Sequence, residues 1–317
     1  MFASELSLLL NLRTISRYSI FAGVLVSLAF FFSCGFPLQL QVSLAVVSLA
    51  VGIPHGAVDH LITVPKLSGL KMALFIAAYL AVVAIAIGFI LNQNTLGFQL
   101  VVLMSAVHFG VGDAAFVCEI DRRVGKARRF EKILYAFASG FVPVVVPLVN
   151  SQSTNALQAV NPKLVGWVGP LAPVILWATV TLAVVAIVVM FASKRLQEGI
   201  DLALLLTLAV VAPPLVAFAV YFGLWHALRH TGRLTLELDR SKQMHELGKA
   251  GSAFAKAILA GVPALAITLV GAIVLGLSQG FSLAQNLLWY LLVVVWALTV
   301  PHMALTARID ARALRKA

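Results

Sequence analysis

The sequence predicts an all-α integral membrane protein: a polytopic bundle of about 8–10 hydrophobic helices, built as a single domain over residues 1–317. Of its 317 residues, 61% are hydrophobic and 11% are charged, whereas an average soluble domain has about 25% charged residues. Apolar runs of about 20 residues, the length that crosses a bilayer as a helix, recur along the whole chain. The longest polar stretch, 229–249, suffices only for a loop or a surface helix.

Each predicted segment is an apolar run bounded by charged or turn-forming residues. The first four end in turn at a Gly-Phe-Pro sequence, a Pro-Lys pair, an Asn-Gln-Asn sequence and a glutamate. The next four end before an asparagine, a Ser-Lys pair, a Gly-Arg pair and a glycine, and the last ends shortly before an arginine. The predicted segments are 18–36, 39–64, 71–91, 98–118, 131–149, 164–192, 201–231, 253–279 and 284–306.

The positive charges predict the orientation of these segments. The net charge is +11, but Lys and Arg lie at the ends of apolar runs and form no single patch, so we expect no nucleic-acid partner. The loop 119–132 is strongly basic, whereas the loops 34–41, 92–98 and 279–283 contain neither Lys nor Arg. By the positive-inside rule, the N-terminus should be cytoplasmic, and the protein should cross the inner (cytoplasmic) membrane of the cell several times.

The segment 201–231 breaks this alternation, because basic loops lie on both sides of it. Pro213 and Pro214 stand in its middle, and proline removes helical hydrogen bonds. We therefore expect two short helices that form a hairpin and return to the cytoplasmic side. A single kinked span is the alternative. Broken helices are tolerated in membranes where they line an interior site.

Four of the predicted segments bring histidine to one depth, the cytoplasmic half of the bilayer. The sequences are "PHGAVDH" (54–60), "HFGVGD" (108–113), "WHALRH" (225–230) and "PHMALTAR" (301–308). A single histidine of this kind often only joins two helices by a hydrogen bond, but ionisable residues in spans are rare and usually functional. Neutral imidazole suits Fe, Cu and Zn. His55, His108, His226 and His230 are the predicted metal ligands; of the other histidines, His245 should be an ordinary surface residue.

Neighbouring polar residues are candidates for supporting roles. Asp59 is four residues after His55, shares its helix face and is placed to orient it by a hydrogen bond. His60 should point away. His302 is expected to form a pocket wall or to support a ligand.

Asp113 lies about 140° around a regular helix from His108. It shares the face of that histidine only if Gly110 or Gly112 distorts the helix. Otherwise Arg229 is its expected partner.

The ordered motifs "GIPHGAVD", "HFGVGD", "APPLVAFAVYFGLWHALRH" and "LTVPHM" resemble the Brp/Blh family, the bacteriorhodopsin-related proteins whose enzymes are β-carotene 15,15'-dioxygenases. The resemblance implies a membrane enzyme that takes β-carotene from the lipid and cuts its central double bond with O2, giving two retinals. It also implies a functional link to a rhodopsin, and non-haem Fe(II) held by His55, His108, His226 and His230.

A hydrocarbon substrate needs a long apolar tunnel reachable from lipid. Several aromatic residues near the histidine layer are expected to line one, although packing between helices is the alternative for each. They are Phe109, Tyr221, Phe222, Trp225 and Trp296, with Phe116 and Trp289 as further candidates.

Four other functions compete with this one. A membrane cytochrome would use the same histidines as axial haem ligands. Two haems would need histidine pairs at two depths, whereas the histidines here are predicted at one depth. Di-iron desaturases use more histidines than the seven present. A proton-coupled transporter would use His and Asp as a relay. A regulator of opsin production would cleave nothing.

Overall fold

The computed structural model describes residues 1–33, 35–58, 61–62, 67–125, 130–280 and 283–315. Within these ranges the chain is helical and contains no β-strand, which confirms the all-α prediction. The helices are α1 (Phe2–Phe32), α2 (Leu38–Gly56), α3 (Gly69–Asn92), α4 (Asn94–Val124), α5 (Lys132–Val149), α6 (Ser153–Val160), α7 (Ala172–Ala192), α8 (Leu196–Val211), α9 (Pro214–Tyr221), α10 (Ala227–Leu234), α11 (Asp239–Glu246), α12 (Ala250–Ser278) and α13 (Leu283–Arg315).

In the described part of the chain, eight helices are long and apolar enough to cross a membrane. They correspond to eight of the nine predicted segments. Several extend beyond the predicted bounds: α1 begins at Phe2 instead of residue 18, and α13 continues to Arg315. The apolar runs end at the first charge, but helical hydrogen bonding continues wherever the charged side chains find partners.

The segment 201–231 forms the predicted hairpin. Helix α8 ends where Ala212 and Pro213 adopt extended conformations, and α9 then starts at Pro214. A π-helical turn, Phe222–His226, joins α9 to α10. Nη2 of Arg229 lies 3.4 Å from Oδ2 of Asp201, whereas a continuous helix would separate these residues by about 42 Å. The chain therefore reverses direction, and the alternative of one kinked span is wrong.

Buried ion pairs mark the end of the bundle where this hairpin starts and finishes. Arg13 of α1 bonds Glu198 at 2.8 Å and Asp201 at 3.1 Å, both on α8. Arg233 of α10 bonds Asp310 of α13 at 2.6 Å. We call these the ion-pair layer, together with the pairs Arg123–Glu5, Arg123–Glu119 and Arg195–Asp121. Removing one partner of a buried pair typically costs about 3–5 kcal/mol, so this layer links five helices firmly.

Two helices beside the histidine layer pack backbone against backbone. A Cβ built on Gly110 of α4 would lie 1.9 Å from the carbonyl oxygen of Ala136 on α5. A Cβ on Gly140 of α5 would lie 1.9 Å from the carbonyl oxygen of Ala106 on α4. Helix α4 is α-helical from Asn94 to Val124. Gly110 therefore does not distort the helix, which was the condition for Asp113 to share the face of His108. The glycine instead lets α5 approach and fixes the height of His108.

Candidate metal centre

Five histidines from four parts of the bundle meet in its interior. His55 lies in the last turn of α2 after Pro54, and His108 lies within α4. His226 ends the π-helical turn, and His230 follows it on α10. His302 follows Pro301 in α13. Each is at most 7% exposed. Histidines far apart in the sequence are therefore neighbours in a water-poor site.

The rings form a closed circuit with a cap. The centroids of His55 and His226 are 5.3 Å apart, and those of His226 and His108 are also 5.3 Å apart. His108 and His302 are 5.0 Å apart, and His302 and His55 close the circuit at 5.6 Å. His230 is next to all four, with centroid distances between 5.2 and 6.1 Å.

These spacings suit imidazoles around one ion. A nitrogen bound at about 2.1 Å puts its ring centre about 3.2 Å from the ion, so two rings have centres about 4.5 Å apart at a right angle and about 5.5 Å apart at 120°. The observed spacings, 5.0–6.1 Å, lie in the upper part of this range and slightly above it. Among the described residues, no three His, Cys, Asp or Glu side chains already hold their donor atoms in metal-binding geometry. The cluster is therefore slightly wider than a closed coordination shell.

The ring nitrogens also fit a cation. Nδ1 of His55 donates to the carbonyl oxygen of Gly52, which leaves Nε2 of the neutral ring with a lone pair. Within the described ranges, Nε2 of His108, Nε2 of His226 and both nitrogens of His230 are buried without a hydrogen-bond partner. Buried polar atoms normally have one, and a metal ion would satisfy these lone pairs together.

The four predicted ligands thus lie in one cluster, and His302 joins them. The i, i+4 spacing signalled the pairing of His226 with His230, whereas for His302 the sequence predicted only a pocket wall or support for a ligand. Asp59 and His60 fall outside the described residues. Their predicted roles therefore stay predictions, and the acceptor that the structure describes for His55 is the backbone carbonyl of Gly52.

The polar residues beside the cluster pair differently from the prediction. Nε1 of Trp225 donates to Oδ2 of Asp113 at 2.9 Å. The guanidinium of Arg229 lies 3.2 Å from the centroid of Trp225 and pairs with Asp201, not with Asp113. Trp225 is fully buried and lines neither cavity described below, although it was expected in the substrate tunnel. It stacks beneath Arg229 and supplies one donor to the buried carboxylate of Asp113.

Two apolar cavities adjoin the histidine cluster. The larger, about 430 Å³, is lined by His55, His108 and His302 and by apolar side chains of α3, α12 and α13. The smaller, about 120 Å³, extends towards α6. Both are lined by Phe109, Phe222, Val295 and Thr299.

Four of the predicted tunnel residues line the smaller cavity: Phe109, Tyr221, Phe222 and Trp296. Phe116 instead packs under Arg229, with its ring centroid 5.1 Å from the guanidinium carbon. Trp289 packs on Trp296, with centroids 5.9 Å apart. The two cavities touch at Phe109 and Phe222, directly beside the histidines.

His245 is not the surface residue that was expected. It is buried on α11, where Nδ1 lies 3.0 Å from the Ser4 hydroxyl and Nε2 lies 2.9 Å from the Thr235 hydroxyl. The Thr235 hydroxyl donates to the carbonyl of Gly232, so it accepts from Nε2–H. Burial lowers the pKa of His245 below its usual value. This histidine joins α11 to α1, and the polarity of its surrounding sequence concealed that role.

Comparisons with known proteins agree with the motif pattern. A family model described as "Beta-carotene 15,15'-dioxygenase" matches residues 46–310. The probable beta-carotene 15,15'-dioxygenase Blh of Halobacterium salinarum is 26% identical over 83% of this chain and 82% of its own length. The beta-carotene 15,15'-dioxygenase of the uncultured marine bacterium 66A03 is 28% identical over 80% of this chain and 88% of its own. No solved structure matches the chain.

Proposed function

Because the chain belongs to the beta-carotene 15,15'-dioxygenase family, it is an oxygenase, and we propose that it cleaves β-carotene at the 15,15' double bond to give two molecules of all-trans-retinal. One observation carries the proposal: His55, His108 and His302 of the cluster form part of the wall of a largely apolar cavity. A polyene without polar groups requires such a cavity, and imidazoles at its wall bring a metal to a hydrocarbon that cannot leave the lipid.

We propose that the metal is one non-haem Fe(II) ion, held by His55, His108, His226 and His230. These are neutral nitrogen donors without thiolate or carboxylate, a set that suits Fe, Cu or Zn. Zinc has no redox chemistry, whereas a reaction with O2 needs a metal that can transfer electrons. When bound, Fe(II) supplies the electron transfer that lets O2 react with a carbon–carbon double bond, which protein side chains cannot provide.

The reaction needs no other reductant. The 15,15' carbon–carbon double bond breaks, each carbon forms a double bond to one oxygen atom of O2, and the four electrons that reduce O2 come from those carbons. The protein has to hold the centre of the polyene beside the histidines and exclude water. Phe109 and Phe222 stand at the junction of the two cavities, with centroids 6.0 Å apart, and their faces are suited to contact the central double bond. The two ends of the substrate would then occupy one cavity each.

The substrate would enter sideways from the lipid. The larger cavity is bounded by α3 and α12, which have few buried residues and therefore face outward. O2, which is apolar, can reach the cavity by the same route. Retinal would leave into the membrane, where a rhodopsin could take it up. Co-expression with an opsin tests this functional link through the absorbance of the pigment formed.

We also propose the inner membrane as the location, a cytoplasmic N-terminus, and an active site in the cytoplasmic half of the bilayer. His108 precedes Glu119, a member of the ion-pair layer, by eleven residues, about 16 Å along a helix. The same end of the bundle holds both ends of the hairpin, near Asp201 of α8 and Arg229 of α10. Labelling of cysteines introduced near residue 1 and in the 150–163 loop, in intact cells, tests this orientation. Residues 1–317 would form one domain, since the apolar core includes residues from Ile20 to Val294.

The experiment is metal analysis and a retinal assay on protein purified in detergent. We expect about one iron per chain and two retinals per β-carotene consumed. Changing His55, His108, His226 or His230 to Ala should abolish retinal formation while membrane insertion persists; His245→Gln, outside the cluster, should keep activity. A haem spectrum, or full zinc occupancy with activity retained, contradicts the proposal.

The geometry favours this function over a bis-histidine cytochrome. A haem requires two axial imidazoles on opposite faces of a flat macrocycle. Here His230 adjoins all four rings of the circuit at 5.2–6.1 Å, which leaves no gap for a porphyrin among them. A proton-coupled transporter would show no oxygen-dependent loss of β-carotene, so the same assay separates it.

A further inference from the structure

We propose that His302 supplies a fifth imidazole to the metal ion, beside His55, His108, His226 and His230. The inference rests on the proposed iron site and adds a ligand to it. It differs from the expectation from the sequence, in which His302 only walls the pocket or supports another ligand.

The arrangement of the rings carries the proposal. His302 occupies the fourth side of the circuit, with its centroid 5.0 Å from that of His108 and 5.6 Å from that of His55. These spacings match those that His226 makes with the same two rings, 5.3 Å each. His226 is a proposed ligand, so His302 holds an equivalent position on the opposite side. A residue that merely supported a ligand would touch one ring of the cluster, whereas His302 adjoins three, including His230 at 5.7 Å.

The surrounding structure holds the His302 ring at this depth. The residue is 5% exposed and lies in a helix that packs on α2 and α4, the helices of His55 and His108. Gly56 lies opposite: a Cβ built there would lie 3.5 Å from Nδ1 of His302, an ordinary contact distance, so α2 lies directly beside the ring. Packing of α13 against α2 and α4 therefore holds this imidazole beside the cluster.

A fifth imidazole would also bring the ion closer to the substrate. The larger cavity is lined by His55, His108 and His302, whereas within the described residues His226 and His230 are not part of its wall. With His302 as a ligand, three of the five imidazoles would hold the ion at the wall of the cavity in which the polyene would lie.

A comparison of His302→Ala with Thr306→Val tests the proposal. Thr306 is one turn further along α13, is equally buried, and donates its hydroxyl to the carbonyl of His302 at 3.2 Å. Both variants and the wild-type protein would be loaded with Fe(II) and titrated with a chelator. We expect His302→Ala to lose iron affinity by more than about 100-fold, beyond the roughly 10–100-fold cost of losing a group that only orients a ligand. Thr306→Val should retain wild-type affinity.

The iron-loaded wild-type structure gives a second, direct measurement. A nitrogen of His302 within about 2.3 Å of the iron, a typical metal–imidazole distance, supports the proposal. A longer distance, or a loss of about 100-fold or less in His302→Ala, overturns it and leaves the four-histidine site standing. Wild-type protein that binds no iron would instead refute the proposed function itself.

Discussion

The contact between α4 and α5 gives the sharpest prediction, because it tests the packing that sets the height of His108. Gly110→Ala adds one methyl group two residues after this histidine. The new Cβ would lie 1.9 Å from the carbonyl oxygen of Ala136 and 2.8 Å from its carbonyl carbon. The obstacle is backbone, which cannot rotate away, so the two helices must separate.

The magnitude follows from the overlap. A carbon and a carbonyl oxygen approach to about 3.3 Å, so the helices must move apart by about 1.4 Å. Overpacking of this kind costs about 1–3 kcal/mol and occasionally more, and the rigid obstacle favours the upper part. At roughly 2–4 °C per kcal/mol, we expect Tm to fall by about 5–10 °C. A displacement of about 1 Å at a catalytic group can cost about 100-fold in rate, so the rate of retinal formation should fall by up to about 100-fold.

Thermal unfolding in detergent, iron content and retinal formation are the measurements. Gly88→Ala on α3 is the matched control, because no heavy atom lies within 4 Å of its added Cβ. Alanine favours helix over glycine by up to about 1 kcal/mol, so the control should be at least as stable as wild type. Gly140→Ala, the other side of the same contact, should resemble Gly110→Ala.

The double variant adds an internal check. Once one methyl group has separated the helices, the second meets less obstruction, so the combined loss should be smaller than the sum of the two single losses. A Gly110→Ala protein with wild-type Tm and activity would refute the reasoning. Additive losses in the double variant would show that the two glycines do not share one contact.

Three further predictions follow from the described contacts. Trp225→Phe removes one hydrogen-bond donor of the buried Asp113 carboxylate, which the Tyr221 hydroxyl also contacts. The loss should cost about 1–3 kcal/mol in thermal unfolding, and an unchanged Tm would show that the indole does not stabilise this carboxylate. Burial lowers the pKa of His245 from its usual 6.5, so the unfolded state takes up a proton more readily than the folded state. The contribution of His245 to stability should be complete above about pH 6.5 and decline as the pH falls below it, and His245→Gln should weaken the pH dependence of unfolding in that range. Ala264→Trp narrows the larger cavity between α3 and α12 and should cut retinal formation at least 10-fold with iron content unchanged. Ala266→Trp, exposed on the same helix, is the control and should have no effect. Equal activity of the two variants would place substrate entry elsewhere.

Much of the architecture was predictable because it depends on local properties of the chain. Apolar length predicts a membrane helix without knowledge of its neighbours, and eight such helices are present among the described residues. The hairpin was predictable for a similar reason: Pro213 and Pro214 prevent a continuous helix, and basic loops on both sides require the chain to return. The helix ends were less predictable, since buried ion pairs such as Arg233–Asp310 stabilise turns beyond the apolar runs.

The candidate site divides in the same way. Sequence position alone determined that His55, His108, His226 and His230 lie at a common depth, because the rise per residue of a helix is constant. Which way a side chain points, and which helix it meets, depends on how the helices rotate and pack. Only the tertiary structure therefore decided that His302 closes the ring of imidazoles, that Trp225 serves Asp113 instead of the tunnel, and that Gly110 acts through α5. The depth of a side chain depends on its position along one helix, whereas its contacts depend on how two helices pack.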